Sequence, residues 1–387
     1  MQEFDLAIIG GGLAGASLAR AMSGSGLRTV VIDNQAAHTL YSSALDNRGL
    51  AISYSSTQIL HSLGVWQLLA NSAYPITTVH VSEQKSFGFT KLSSQEFMLP
   101  ALGYVVSASA IGAALIGGLE QLPDISVMRP IQIQSIDYNN ASSDWTLTVA
   151  DSKLKCKILV GADGSNSFLR SSLNIEATAT DSGQSALVTN LGMKQANLST
   201  AYERFLAQGV LAVLPFGEHQ VKCVWTADNA QIEELKQLND QEFLATVQKA
   251  FGFRLGRFLS VDVRHTFPIH TLSTAKIHAT GVVLIGNAAN TLHPVAAQGF
   301  NLGLRDVATL SKILKSPNMT LNDYAMQRAK DHYNTQLNTN RLLELFASDL
   351  PLAKISRRLG MLAAQFVPSL NRSEERRVGK ECLRLCR

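Results

Sequence analysis

Phe4-Asp5-Leu6-Ala7-Ile8-Ile9-Gly10-Gly11-Gly12-Leu13-Ala14-Gly15 is an apolar run that breaks into glycines and resumes as an alanine- and leucine-rich stretch. Its spacing predicts a strand over 4–9, a tight turn and a helix from Leu13 to about Ser23. A second strand over 28–32 then ends at Asp33. Each glycine has a physical task in such a β–α–β unit. Gly10 permits the turn, Gly12 lets backbone approach a pyrophosphate, and Gly15 lets the helix pack close to the strand. The N–H groups at the helix start then face phosphate oxygens, and Asp33 stands where a carboxylate accepts from a ribose hydroxyl. The six-residue glycine pattern alone is a weak signal, since a turn without a ligand has the same spacing. Two strands, a helix and an acid in the right order point to a dinucleotide.

Two distant stretches extend the pattern. Gly161-Ala162-Asp163-Gly164-Ser165-Asn166-Ser167-Phe168-Leu169-Arg170 follows a short apolar strand at 157–160. Gly164 allows close backbone approach, and Asp163 and Arg170 can orient phosphate and ribose; the plainer reading is a turn with a surface arginine. Gly286-Asn287-Ala288-Ala289 follows a buried strand at 282–285, then leads to His293-Pro294 and to Gln298-Gly299-Phe300-Asn301, a loop that opens a helix. A helix N-terminus there would stabilise negative charge on a reduced cofactor ring. His293, Pro294 and Gln298 are the candidates for the reacting face, although a lone loop histidine is more often a packing residue. Arg305-Asp306 reads as helix-stabilising.

The remaining composition narrows the class. The chain has 387 residues, 46% apolar and only 17% charged, enough for a large core in two or three lobes. The stretch 97–119 carries no charge, but its proline, glycines and serines suit a buried strand and helix better than a membrane span. No secretory leader is read at 1–4. Cys156 and Cys223 suit a reduced, cytoplasmic protein, and no Cys/His cluster has metal-ligand spacing, so no metal is expected. The segment 372–387 has six basic and three acidic side chains, +3 of the chain's +4. A solvated tail and a lipid anchor are two readings of it. We read it instead as the translation of a sequencing adapter that replaces the native C-terminus, so no nucleic-acid partner is inferred from the charge.

Further strands are read at 76–82, 87–92, 104–106, 125–128, 131–136, 146–149, 187–193, 209–215 and 221–226, with helices at 53–63, 66–69 and 240–250. Helices dominate from Asn301 onward. The fold class is α/β: a discontinuous Rossmann-like nucleotide lobe (1–75, 150–180 and 265–315), a β-sheet substrate lobe (76–149 and 181–264) and C-terminal helices (316–371).

The three glycine stretches resemble the FAD-dependent aromatic hydroxylases of the p-hydroxybenzoate hydroxylase fold. The chain is similar over 4–370 to the ubiquinone-biosynthesis hydroxylases among them, in the branch acting on 2-polyprenyl-6-methoxyphenols. Gly64-Val65-Trp66-Gln67, the run 73–82, Phe251-Gly252-Phe253-Arg254-Leu255-Gly256 and 286–294 carry that likeness. The resemblance implies FAD held by Gly10, Gly12, Gly15, Asp33, Asp163, Gly164, Arg170, Gly286, Asn287, Gly299, Phe300 and Asn301. Arg48, in Asp46-Asn47-Arg48-Gly49-Leu50-Ala51, is carried over as another contact.

The resemblance also implies NAD(P)H as a transient reductant, O2 as co-substrate and a polyprenylphenol as substrate, met at the inner-membrane surface or among biosynthetic partner subunits. The apolar set at 342–366 is a candidate interfacial helix, against the plainer reading of packed helices. Two positions depart from the wider class: Asn287 replaces an Asp, as it does in the branch named, and Ala297 replaces a Gly. Left open are another ring position, a different aromatic hydroxylase, an isoprenoid reductase, and a non-catalytic FAD-binding subunit.

Overall fold

A computed structural model of the chain describes residues 1–36, 49–86, 88–150, 152–197, 199–294 and 298–347. The readings that fall on Arg48, Ala297, the side chains at 342–366 and the segment 372–387 lie outside the described residues. The strand Gln2–Ile9 is central because Leu6, Ala7, Ile8 and Ile9 are buried on both faces. A parallel strand covered on both sides reads as a continuous apolar run, as here. It pairs in parallel with Thr29–Ile32 on one side and Ser152–Gly161 on the other. Val282–Leu284 and Ile125–Met128 extend this eight-stranded sheet outward. The helices Leu13–Met22, Ala108–Ile116 and Gln298–Leu314 pack Leu18, Met22, Leu115 and Leu304 into the core on one face.

The second sheet has nine strands, among them Ala177–Met193, Gln220–Asp228, Val210–Pro215, Thr200–Phe205 and Thr78–Glu83 in hydrogen-bonded sequence. Leu187, Leu211, Val213, Val221, Cys223 and Trp225 line one face and are buried with the helices Asn229–Gln237 and Asp240–Phe251. The latter helix starts on a reciprocal cap, Asn239 with Glu242. Burial pushes the Cys156 and Cys223 thiols up to about 12, so both are unreactive core residues. A small third sheet, Gly49–Ser53, Gly103–Ser107 and Tyr74–Ile76, lies between the other two in contact terms.

The pairing decides the sheet of strands whose grouping periodicity leaves open. Ile125–Met128, Ile133–Asn139 and Asp144–Val149 belong to the eight-stranded sheet, although 76–149 was assigned as a whole to the substrate lobe. Likewise His265–Thr274 pairs with Ala177–Met193 in the nine-stranded sheet, although 265–315 was grouped with the eight-stranded sheet's turns. Strand membership follows hydrogen bonds to chain-distant partners, which periodicity does not encode. The strands Gly49–Ser53, Thr200–Phe205 and His265–Thr274 and the helix Asn229–Gln237 were not read, and Ala177–Met193 was read only from 187. The uncharged stretch 97–119 folds as the strand Gly103–Ser107 and the helix Ala108–Ile116, with the Ser107 hydroxyl capping the helix. Among the described residues no helix is long and apolar enough to cross a membrane.

Candidate active site

The three glycine turns meet at the ends of adjacent strands. Ala162 N–H donates to the Ile9 carbonyl at 2.7 Å, and Ile285 N–H to the Gly161 carbonyl at 2.9 Å. Crowding explains two of the glycines. A Cβ on Gly10, whose φ is +97°, would lie 2.6 Å from the Ala162 carbonyl, and one on Gly15 would lie 1.9 Å from the Gly10 oxygen. Gly12, Gly164 and Gly299 differ: a Cβ there meets nothing within 4 Å. The cradle is therefore packed beneath and open above. At its mouth the helix Leu13–Met22 begins on Gly12 with no side-chain cap and no acidic residue in its first turn, leaving N–H donors for phosphate oxygens.

Asp33, 8% exposed, accepts the Gly11 N–H on Oδ2 and the Gln35 N–H at 2.7 Å on Oδ1. Its carboxylate shapes the glycine turn as well as ending the strand. Asp163 accepts the Leu169 N–H at 3.1 Å on Oδ2, while Oδ1 is buried with no hydrogen-bond partner among the described residues. Such an orphaned oxygen calls for a donor; a hydroxyl of a bound nucleotide would supply one. Arg170, also 8% exposed, donates to the Ala288 carbonyl at 3.0 Å and the Ser165 carbonyl at 2.6 Å. It straps the second turn to the third, a contact that spacing does not announce beside the arm toward phosphate that the sequence suggests.

The third turn is held from behind. Gly286, at φ +58°, donates its N–H to Asp306 Oδ2 at 3.0 Å. Asp306 Oδ1 accepts from Arg328 Nε at 2.7 Å and from His332 Nε2 at 2.6 Å, and Asn290 Nδ2 lies 2.7 Å from His332 Nδ1. Burial pushes the Asp306 carboxyl up, but His332 and Arg328 together outweigh it and hold the group below the ordinary carboxylate range. Asp306 thus positions the turn, a role beyond the helix stabilisation read from sequence, and Arg328, His332 and Asn290 were not singled out there at all. Asn287 is exposed, and its carbonyl accepts from the Thr291 hydroxyl at 3.2 Å. Asn301 is a staple: Nδ2 donates to the Ala51 carbonyl and Oδ1 accepts from the Ser53 N–H, both at 2.9 Å. Gln298, Gly299 and Phe300 are half-buried at the helix start, and Pro294 is exposed.

His293 is buried at 3% exposure, with Nε2 3.2 Å from Gln184 Oε1 of the nine-stranded sheet. It links the third turn to the sheet, and burial depresses its pKa to about 4. At neutral pH it is uncharged. Because the unfolded chain takes up this proton first, stability is full above pH ~6.5 and falls as pH drops toward about 4. The expected loss is about 3 kcal/mol, and His293→Gln should flatten that acid limb in urea titrations at several pH values. An unchanged limb would show that His293 does not cause it.

The other face of the nine-stranded sheet looks toward the third sheet: Leu214 and Phe216 pack against the cluster of Ile76, Val105 and Ala201. A buried basic residue lies on that face, Lys222, and no sequence pattern marks it. Alternation along the strand Gln220–Asp228 puts it opposite the core-facing Val221, Cys223 and Trp225. No pattern says whether that opposite face meets water or a site.

A glycine-lined cradle at the ends of parallel strands, with an uncapped helix N-terminus at its mouth, defines a nucleotide-binding protein of the Rossmann type. The FAD binding domain family matches residues 3–339, and the chain belongs to that family. It is 30% identical over 380 residues to Ubiquinone hydroxylase UbiL of Rhodospirillum rubrum, covering 95% of this chain and 87% of the relative. It is 28% identical to 3-demethoxyubiquinol 3-hydroxylase of Escherichia coli, covering 96% and 97%. Among solved structures, Pseudomonas aeruginosa PqsL (a four-substitution mutant) gives a TM-score of 0.76 at 17% identity, covering 93% of this chain and 100% of that one. The p-nitrophenol 4-monooxygenase PnpA of Pseudomonas putida also gives 0.76, at 15% identity, covering 94% and 95%. These two establish the fold alone. The cofactor is FAD, and the open glycine cradle and the orphaned Asp163 oxygen suit it.

Proposed function

We propose that the chain is an FAD-dependent monooxygenase that hydroxylates the ring of a polyprenylated methoxyphenol in ubiquinone biosynthesis. One observation carries this: near-full-length similarity to enzymes named as ubiquinone hydroxylases, over a chain whose cradle suits FAD. Bound FAD supplies electron transfer from NAD(P)H and activation of O2, with one oxygen atom going to the ring and the other to water. The chain's own residues bind and orient. Gly10, Gly12 and the start of the helix Leu13–Met22 take the pyrophosphate; Asp33, Asp163 and Gly164 take ribose and ribityl hydroxyls. Gly286, Asn287, Gly299, Phe300 and Asn301 frame the ring system, and the N-terminus of the helix Gln298–Leu314 favours negative charge on it. We assign the eight-stranded sheet to the FAD lobe and the nine-stranded sheet to the substrate lobe.

A second reading, another ring position in the same pathway, is favoured by the name of the E. coli relative. A polyprenyl tail is too apolar to cross water freely, so we place the enzyme at the cytoplasmic face of the inner membrane or among partner subunits. Purified protein lacking 372–387 is expected to hydroxylate a short-chain 2-prenyl-6-methoxyphenol with NAD(P)H and isotopically labelled O2, with label in the product. NAD(P)H oxidation without a labelled product would reject the reading. The quinone precursor that accumulates in a strain lacking the gene, identified by mass, separates the two ring positions.

A further inference from the structure

The run Phe251-Gly252-Phe253-Arg254-Leu255-Gly256 folds as a braced surface loop. Leu255 is buried with the helices of the nine-stranded sheet. Gln248 Nε2 donates to the Gly252 and Gly256 carbonyls at 2.6 and 3.1 Å, and its Oε1 accepts the Phe258 N–H at 2.9 Å. Held this way, the loop keeps Phe253 68% exposed, with Arg254 exposed beside it. Arg254 Nη1 and Arg204 Nη1 stand 3.4 and 3.2 Å from one oxygen, Ser82 Oγ. Lys91 pairs with His80 across the ladder, so both share the sheet face of Ser82 and Arg204, while Glu83 and Glu203 alternate onto the other face. Among the described residues no carboxylate pairs with either arginine; Arg204 Nε donates to the Ala250 carbonyl at 2.8 Å. Positive charge therefore gathers here uncompensated. Burial and then the Arg254 charge lower the pKa of Arg204, and the same two causes lower that of His80, with Arg204 and Lys91 adding to them. A lone exposed phenylalanine is ordinary, and Arg204 has a plain role at the C-terminal end of the helix Asp240–Phe251. Arg254 is the residue that such roles leave over.

We propose that this loop docks the enzyme on a membrane, Arg254 and Arg204 taking the phosphate of an anionic lipid headgroup and Phe253 entering the boundary with the acyl chains. The inference rests on the hydroxylase reading, whose substrate is held in a bilayer, and adds the surface that meets that bilayer. Charge complementarity selects the occupant. A guanidinium pairs with phosphate oxygens through parallel N–H bonds, and the cytoplasmic leaflet carries the negative charge that basic side chains seek. An aromatic ring beside basic groups sits at the headgroup level. An acidic protein segment would match the arginines alone. A lipid matches the arginines with its phosphate and the phenylalanine with its chains. No bond is made or broken, so docking is reversible and weakens as salt screens the charges.

The test is cosedimentation of the full, FAD-loaded chain with vesicles of phosphatidylcholine alone and of equal parts phosphatidylcholine and phosphatidylglycerol. Wild type is expected to prefer the mixed vesicles and to release them as salt rises. Arg254→Glu should weaken that binding at least about tenfold, and Phe253→Ser about fivefold. Lys153→Glu makes the same charge change at an exposed residue of the strand Ser152–Gly161 and should weaken it less than about twofold. The segment 372–387 is common to every form and cancels from the comparison. All three variants should melt as wild type does and hydroxylate a short-chain phenol at its rate. Equal losses in Arg254→Glu and Lys153→Glu overturn the inference by reducing the effect to net charge. So does binding unchanged in both loop variants, or a lowered melt in both, which would make the loop a structural brace. Inorganic phosphate that raises the wild-type melt without any vesicle binding assigns the arginines to a free anion and also overturns it. Wild type that hydroxylates the phenol yet ignores mixed vesicles overturns the inference alone. Wild type that binds them through this loop yet hydroxylates no phenol overturns the function and leaves the docking surface standing.

Discussion

Asp306→Ala is expected to lower stability by about 3–5 kcal/mol, the range for breaking a buried charge network from one side. Asp306 is fully buried and accepts three donors: Gly286 N–H on one oxygen, Arg328 Nε and His332 Nε2 on the other. Its removal leaves the buried Arg328 with Asp331, 2.6 Å from Nη1, as its remaining carboxylate. That carboxyl is itself held down to about 2 by Arg328 and Arg305 against the upward push of burial, so it is already engaged. Asp306→Asn is not a rescue. All three donors point at the carboxylate, and an amide NH2 in either position would face a donor with a donor. Thermal melts of both variants should fall by on the order of 5 °C, and FAD should bind more weakly because the Gly286 turn loses its anchor. A melt and an FAD affinity that both match wild type would show that the network does not hold the turn.

The second large effect separates two glycines three residues apart. Gly15→Ala is expected to yield a flavin-free, destabilised protein, since its Cβ would sit 1.9 Å from the Gly10 oxygen and neither backbone segment can yield cheaply. Gly12→Ala meets nothing within 4 Å, so the apoprotein should melt as wild type does. Its methyl instead enters the space assigned to the pyrophosphate, and FAD affinity should drop at least about tenfold, ~1.4 kcal/mol. Calorimetry of the apoproteins and fluorescence titration with FAD read the two effects separately. Gly12→Ala that binds FAD like wild type would move the pyrophosphate off this turn.

How much of this was legible beforehand depends on the range of the cause. Gly10 and Gly15 announce themselves because a positive-φ turn and a helix start packed on the Gly10 carbonyl both act within a few residues. Even so, motif spacing missed what those residues lean on. Arg170 reads as a cofactor arm, and spacing gives no sign that it also bonds the carbonyls of Ser165 and of Ala288, the latter 118 positions from it. Asp306 looked like a helix residue and is the anchor of Gly286. The strand Ile125–Met128 has readable local character, yet its sheet is set by pairing with Thr29–Ile32, about a hundred residues away in the chain.

By itself, the sequence determined the strand–turn–helix unit, the three glycine turns and the family, because these rest on local backbone geometry and on residue identities at fixed spacing. Tertiary structure alone decided that Asn301 meets Ala51 across 250 residues, that three donors converge on one carboxylate, and that Lys222 lies on an interior sheet face. Those outcomes turn on which distant surfaces close over a group and strip it of water. A strand's alternation names its two faces but does not say what covers either one.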